Sequence, residues 1–395
     1  MIDSIKKLAA EITPDVIAIR RHLHANPELS YKEFETAKYV AQELRKLGLE
    51  PTEKVADTGL VALIEGKNPT KATVALRADM DALPILEKNE VSYKSKNEGV
   101  MHACGHDAHT ASLLGAARIL MELREHFEGT VKLIFQPGEE KNPGGASLMI
   151  KEGVLENPRP ASIVGQHVMP LIPAGKVGFR EGMYMASCDE IYLTIHGKGG
   201  HGAIPELTVD PVLITSHIIV ALQQVISRNA SPKTPTVLSF GKVEAEGATN
   251  IIPDKVEVAG TFRAMDETWR AEAHRKITKL AEGIAESMGG SCDVNISKGY
   301  PYLENDPATT HTSRTAAEAY LGVENVVDLD LWMGAEDFSY YSHEVPACFY
   351  RLGTRNEAKG LTSYVHTPTF DIDESALEIG CGLMAWIAIN QLKNI

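Results

Sequence analysis

Three histidines (His102, His106, His109), a thiol (Cys104) and a carboxylate (Asp107) lie within Met101 to His109, immediately before the apolar run Ala111 to Leu123. Nitrogen, sulfur and oxygen donors that converge on one point make a metal site, and a loop running into a helix can supply two of them. Imidazole and thiolate together favour borderline or soft divalent ions such as zinc over magnesium or calcium. A second cluster, Phe135-Gln136-Pro137-Gly138-Glu139-Glu140, ends a strand-like apolar run. Adjacent carboxylates at a strand end can divide labour, one binding metal while its neighbour handles protons. The first cluster alone is also compatible with a solvated histidine-rich turn. The two together read as a metallohydrolase site.

Periodicity supplies the elements that must position them. Residues 3–25 carry apolar positions at helical spacing until Pro27 stops the run. His22 and His24 near its end are read as helix-end histidines facing the dipole rather than as ligands. A second helix is expected from Glu33 to Leu47, with Gly48 as its stop. Strands are expected at Leu60 to Ile64, Thr73 to Arg77 and Thr130 to Phe135. Their alternation with helices implies a mostly parallel sheet with ligands at the carboxyl ends of strands. Asp79 and Asp81 follow one such end, open to a turn before Pro84 or to a supporting role behind metal ligands. Gly144-Gly145-Ala146 opens a short helix but lacks the ending of a phosphate loop. One more strand, Ala161 to His167, ends on a histidine at the same sheet edge as Glu139 and Glu140, where it reads as a ligand.

From Asp189 the order of elements changes. Strand (Ile191 to Ile195), helix (Asp210 to Ser227), strands (Thr236 to Val243, Lys255 to Phe262), helix (Glu267 to Met288) and strand (Cys292 to Ser297) make β-α-β-β-α-β, a ferredoxin-like pattern. Ile191 to Ile195 is expected to be an exposed edge. The tail returns to α/β character, with a helix near Ala308 to Leu321, a strand from Ala347 to Leu352 and a helix from Asp373 to Leu392. The expected division is a catalytic domain in two parts, 1–186 and 299–395, around a lid of residues 187–298.

The 395 residues allow two or three domains, and 44% hydrophobic with 23% charged residues is ordinary for a soluble globular protein. A net charge of −14 with no basic cluster argues against nucleic acid or anionic membrane as partner. No apolar run approaches the roughly 18 residues of a membrane span. The first residues lack the apolar core of a secretory signal, and five scattered cysteines imply no disulfide framework. A cytoplasmic location is expected, where Cys104 stays reduced.

With these residues in view, the chain resembles the dinuclear metallo-aminoacylase and carboxypeptidase family, which includes hippurate hydrolase, plant indole-acetyl-amino-acid hydrolases and bacterial N-acyl-amino-acid amidohydrolases. The resemblance runs end to end through R-R-H-L-H-A-N-P-E-L-S, R-A-D-M-D-A-L-P, M-H-A-C-G-H-D-A-H, F-Q-P-G-E-E, G-K-G-G-H-G-A, N-I-I-P-D, G-A-E-D-F and V-H-T-P. It implies a zinc-peptidase-like α/β domain with a mixed sheet and helices on both faces, interrupted by a ferredoxin-like α+β lid that also dimerises. Cys104, His106, Glu140, His167 and His366 match the family's metal ligands, and Glu139 matches its general base. His201, Asn250 and Arg263 resemble the groups that relatives use on substrate carbonyl and carboxylate. The wider clan shows His-x-Asp where this chain has Asp79-Met80-Asp81, and many relatives carry alanine at Gly138.

The resemblance further implies two divalent ions per subunit (zinc, manganese, cobalt or nickel), a homodimer, and hydrolysis of N-acyl amino acids or short peptides with a free C-terminal carboxylate. The alternatives are an aminopeptidase or dipeptidase of the same fold, and a non-catalytic metal-binding dimer.

Overall fold

Ile5, Ala9, Ile12, Val16 and Leu23 recur at helical spacing, and in the computed structural model, which describes residues 1–395, they form the buried stripe of helix Ile2–Ala25. Helix Phe34–Lys46 turns Val40, Ala41 and Leu44 inward in the same way. Helix His106–Glu122 is buried almost throughout, because it packs against both Ile2–Ala25 and the C-terminal helix Ala376–Lys393. No helix is long and apolar enough to cross a membrane.

The chain divides into two compact units. The larger comprises Met1–Tyr184, Glu304–Asp330 and Asp337–Ile395. Its eight-stranded sheet runs in the order Thr52–Val55, Gly59–Glu65, Thr130–Gln136, Thr73–Asp79, Ser162–Pro173, Ala347–Arg355, Val177–Phe179, Val326–Asp328. The four central strands are mutually parallel. Thr73–Asp79 and Thr130–Gln136 are buried at every residue, as strands covered on both faces must be. The sheet is mixed, as expected: parallel pairings predominate, while Thr52–Val55, Gly59–Glu65 and Val177–Phe179 each add an antiparallel one.

The smaller unit, Met185–Leu303 with Leu331–Glu336, has its own core of Ile191, Leu193, Ile195, Ile214, Ile218, Phe262 and Ile277. Its antiparallel sheet runs Thr236–Glu244, Lys255–Ala264, Asp189–His196, Ser291–Lys298. Asp210 and Asp266 cap its helices Pro211–Gln224 and Glu267–Ser287 by accepting first-turn N–H groups. One expectation fails here. Ile191 to Ile195 lies in an interior strand, between Lys255–Ala264 and Ser291–Lys298. Each right-handed crossover in this pattern leaves a one-strand gap that the other half fills, so the first strand ends up inside and the second and last form the edges.

Candidate metal centre

The chemistry-bearing residues gather where the central strands of the larger unit end. Asp79 pairs with Gln136, and Arg77 pairs with Gly165, so the turn after Gln136 and the side chain of His167 stand level with Asp79. Helix His106–Glu122 starts beside them. Its preceding residue, Gly105, has φ 86°, and a Cβ there would come within 2.5 Å of Val168 Cγ2. Only glycine lets the Cys104–His106 turn lie against the strand that carries His167.

Donor atoms of Cys104, His106 and His167 lie within 4.8 Å of one another, as do those of Cys104, Glu140 and His366, and those of His106, Glu139 and Glu140. Cys104 Sγ belongs to the first two groups, 3.4 Å from His167 Nε2 and 3.3 Å from His366 Nε2. All five expected ligands and the expected base therefore fall in overlapping groups, with the thiol shared between two of them.

Hydrogen bonds aim the rings. His106 Nδ1 donates to the backbone carbonyl of Asp81 at 2.8 Å, and His167 Nδ1 to that of Val168 at 2.7 Å. Each Nε2 is thereby turned toward the cluster. His106 Nε2 and Glu140 Oε1 are buried without a hydrogen bond, although Glu140 Oε1 lies 3.1 Å from His366 Nε2. Burial lowers the affinity of the His106 ring for a proton, but Asp79 and Asp81 more than offset it and push its pKa up to about 10. Burial, then Glu140, Glu139 and Asp79, push the Cys104 thiol up. The cluster is strongly anionic for its depth, and its nitrogen, sulfur and oxygen donors fit divalent cations of the zinc or manganese kind.

The two aspartates work behind this cluster. Asp81 accepts the backbone N–H of Glu139 on Oδ1 and that of Glu140 on Oδ2, each at 3.0 Å, besides holding His106. Asp79 accepts from His109 Nδ1 at 2.6 Å and from Arg77 at 2.6 Å. His109 Nε2 in turn accepts the N–H of Val168, so both nitrogens of this third histidine are engaged. His102 is buried, and that burial pushes its pKa down to about 4. His24 lies in the last turn of its helix, as expected, but side chains hold its ring. It is fully buried, with Nδ1 2.7 Å from Asp107 Oδ2, and Arg20 donates to the same carboxylate oxygen. The expected dipole role gives way because the last turn of its helix is packed, whereas His22 stacks on Tyr39.

The three expected substrate-binding residues belong to the smaller unit. His201 and Asn250 lie together on a two-stranded ribbon, where His201 pairs with Ile251 and Gly202 N–H donates to the Asn250 carbonyl. Arg263 sits near the far end of strand Lys255–Ala264, with Nε donating to Thr261 Oγ1. Eight residues of strand separate Lys255, beside the ribbon, from Arg263, or about 26 Å at the usual rise. The unit does not bring the three together.

The family model for Peptidase family M20/M25/M40 matches residues 75–390. Thermostable carboxypeptidase 2 of Saccharolobus solfataricus is 40% identical over 98% of both chains. N-acyl-L-amino acid amidohydrolase of Geobacillus stearothermophilus is 42% identical over 77% of this chain and 83% of its own. The crystal structure of the Bacillus subtilis YXEP protein, described as a dinuclear metal binding peptidase from the M20 family, superposes with a TM-score of 0.84 at 34% identity, covering 98% of this chain and all of that one. The shared thiol, the paired glutamates and these likenesses converge: the chain belongs to peptidase family M20/M25/M40 and is a metal-dependent hydrolase of amide bonds with a dinuclear metal site.

Proposed function

We propose that the substrates are N-acyl amino acids, or short peptides with a free C-terminal carboxylate, cleaved to a carboxylic acid and an amino acid. The two relatives differ in name but share this chemistry, since a carboxypeptidase and an acyl-amino-acid hydrolase both break an amide whose amine half bears a carboxylate. The observation that carries the reading is Arg263, a half-buried guanidinium that forms no ion pair within the chain. Its planar fork suits a substrate carboxylate. An aminopeptidase would instead need an acidic group for the substrate's ammonium.

Cys104, His106, Glu140, His167 and His366 would hold the two ions. When bound, the ions supply Lewis-acid polarisation of the amide carbonyl and lower the pKa of the attacking water. Glu139 takes the proton from that water and hands it to the leaving nitrogen, a role worth about 10²–10⁴-fold. The Asp81 carboxylate fixes the backbone N–H groups of both glutamates, which keeps the base and its ligand neighbour in register. Ala203 N–H donates to His201 Nδ1, which leaves Nε2–H as a donor for the developing oxyanion.

His201 and Asn250 act from a second copy of the chain in this reading, and Arg263 binds the substrate carboxylate. The separation of the ribbon from Arg263 supports that assignment. So do two exposed features of the smaller unit: the apolar side chains Val212, Leu213 and Val220 on one helix, and the edge strand Thr236–Glu244 with Val243. We place the homodimer in the cytoplasm, in keeping with five free thiols.

A substrate panel tests the carboxylate requirement. N-Acetyl amino acids should turn over, and their carboxamides should lose about 10- to 100-fold in kcat/KM, the worth of a charge-assisted hydrogen bond. Arg263→Ala should remove that discrimination. Preference for free dipeptides over acylated amino acids would contradict the proposal.

A further inference from the structure

The residues Ser30 to Glu33 join the first two helices and wrap the loop that carries Glu139 and Glu140. Ser30 Oγ donates at 2.6 Å to Asp81 Oδ2, the oxygen that also accepts the Glu140 N–H. The Tyr31 hydroxyl donates to the Lys141 carbonyl at 2.7 Å and accepts the Gly144 N–H at 3.0 Å, so it bridges the far turn of the loop. Glu33 Oε1 accepts the N–H of Gly138 at 2.8 Å and that of Tyr31 at 2.9 Å, while Oε2 accepts the Thr58 hydroxyl at 2.7 Å.

Sterics tighten the same contact. Gly138 has φ 56°, and a Cβ there would lie 2.3 Å from Tyr31 Cε1. The tyrosine ring thus rests on the loop where a side chain would otherwise stand, which accounts for glycine at position 138. Tyr31 itself holds φ 64°, a conformation that a bulky residue keeps only when its surroundings impose it. Glu33 is fully buried, and a buried carboxylate is tolerated only when donors fill its lone pairs. Of the three donors here, one comes from the loop and one from Tyr31.

We propose that Tyr31 and Glu33 are positioning residues, a strap that sets the placement of the Glu139 and Glu140 carboxylates, with Gly138 as the residue that admits the tyrosine ring. This rests on the reading of Glu139 as base and Glu140 as ligand. Neither strap residue touches the substrate. Both act through the backbone of the loop.

The test compares Tyr31→Phe, Glu33→Gln and Glu33→Ala with Glu139→Gln as control. It measures kcat and KM on an N-acetyl amino acid, and Mn²⁺ affinity of metal-stripped protein by calorimetry. Tyr31→Phe keeps the ring and loses both hydroxyl bonds. Its kcat should fall about tenfold with KM nearly unchanged, because misplacement by about 1 Å can cost up to 10²-fold. Glu33→Ala should lose more, and should bind Mn²⁺ more weakly because Glu140 sits on the same loop. Glu33→Gln keeps an oxygen for the Gly138 and Tyr31 N–H groups and should recover most of both losses. Gly138→Ala should be milder in a Tyr31→Ala background than in the native one. Folded Tyr31→Phe with native kcat and native Mn²⁺ affinity would overturn the strap even if its melting temperature dropped. An active Glu139→Gln would instead remove the base assignment on which the strap depends.

Discussion

Cys104 is the atom-scale hinge of the site, because its sulfur belongs both to the group with His106 and His167 and to the group with Glu140 and His366. A serine there offers a harder, far less acidic oxygen to both groups at once. Cys104→Ser should therefore fall below one tightly held ion per chain after dialysis, with turnover lost in parallel. Cys188→Ser, in the smaller unit, should retain both. Elemental analysis of the two variants decides it, and native metal content in Cys104→Ser would remove the thiol from the ligand set. Burial and neighbouring carboxylates hold the thiol proton tightly, so binding an ion must expel it. Occupancy should accordingly decline as pH falls.

At the scale of elements, the site depends on how closely the Cys104–His106 turn approaches strand Ser162–Pro173. Gly105→Ala would bring a methyl into Val168 and force a positive φ on an alanine. Left-handed strain and overpacking together predict a loss of about 2–4 kcal/mol in a denaturant titration. A loss below about 0.5 kcal/mol would show that the turn relaxes freely. The same scale shows what the sequence could convey. Strands Thr73–Asp79 and Thr130–Gln136 were legible because burial on both faces leaves a continuous apolar run. Strand Thr52–Val55 was not, since four half-exposed or exposed residues carry no pattern. Alternation in Ile191 to Ile195 reported which side chains face the core but nothing about which strands lie alongside, hence the misplaced edge. The donor types at the centre were visible as motifs. The burial of His24 was not, because its partner Asp107 lies 83 residues away. Nor was the engagement of His109, which depends on Asp79 and the Val168 N–H. The grip of Tyr31 and Glu33 on the Glu139 loop had no signature beyond the glycine at 138.

At the scale of the whole molecule, the proposal requires two chains for one site. An inactive Glu139→Gln chain mixed with an inactive His201→Ala chain should regain about a quarter of native activity after full subunit exchange. Half of the dimers are then mixed, and each mixed dimer assembles one site with both an intact base and an intact histidine. If exchange were demonstrated and no activity returned, His201 would not act in trans.

Catalysis in this enzyme rests, as proposed, on a division of labour between Glu139 and Glu140. The most direct measurement is metal stoichiometry and turnover on the same preparations of Glu139→Gln and Glu140→Gln. Glu139→Gln should keep two ions per chain and lose about 10²–10⁴-fold in kcat, because an amide cannot carry the proton. Glu140→Gln should lose metal together with activity. A metal-poor Glu139→Gln, or one that keeps both ions and native turnover, would contradict it.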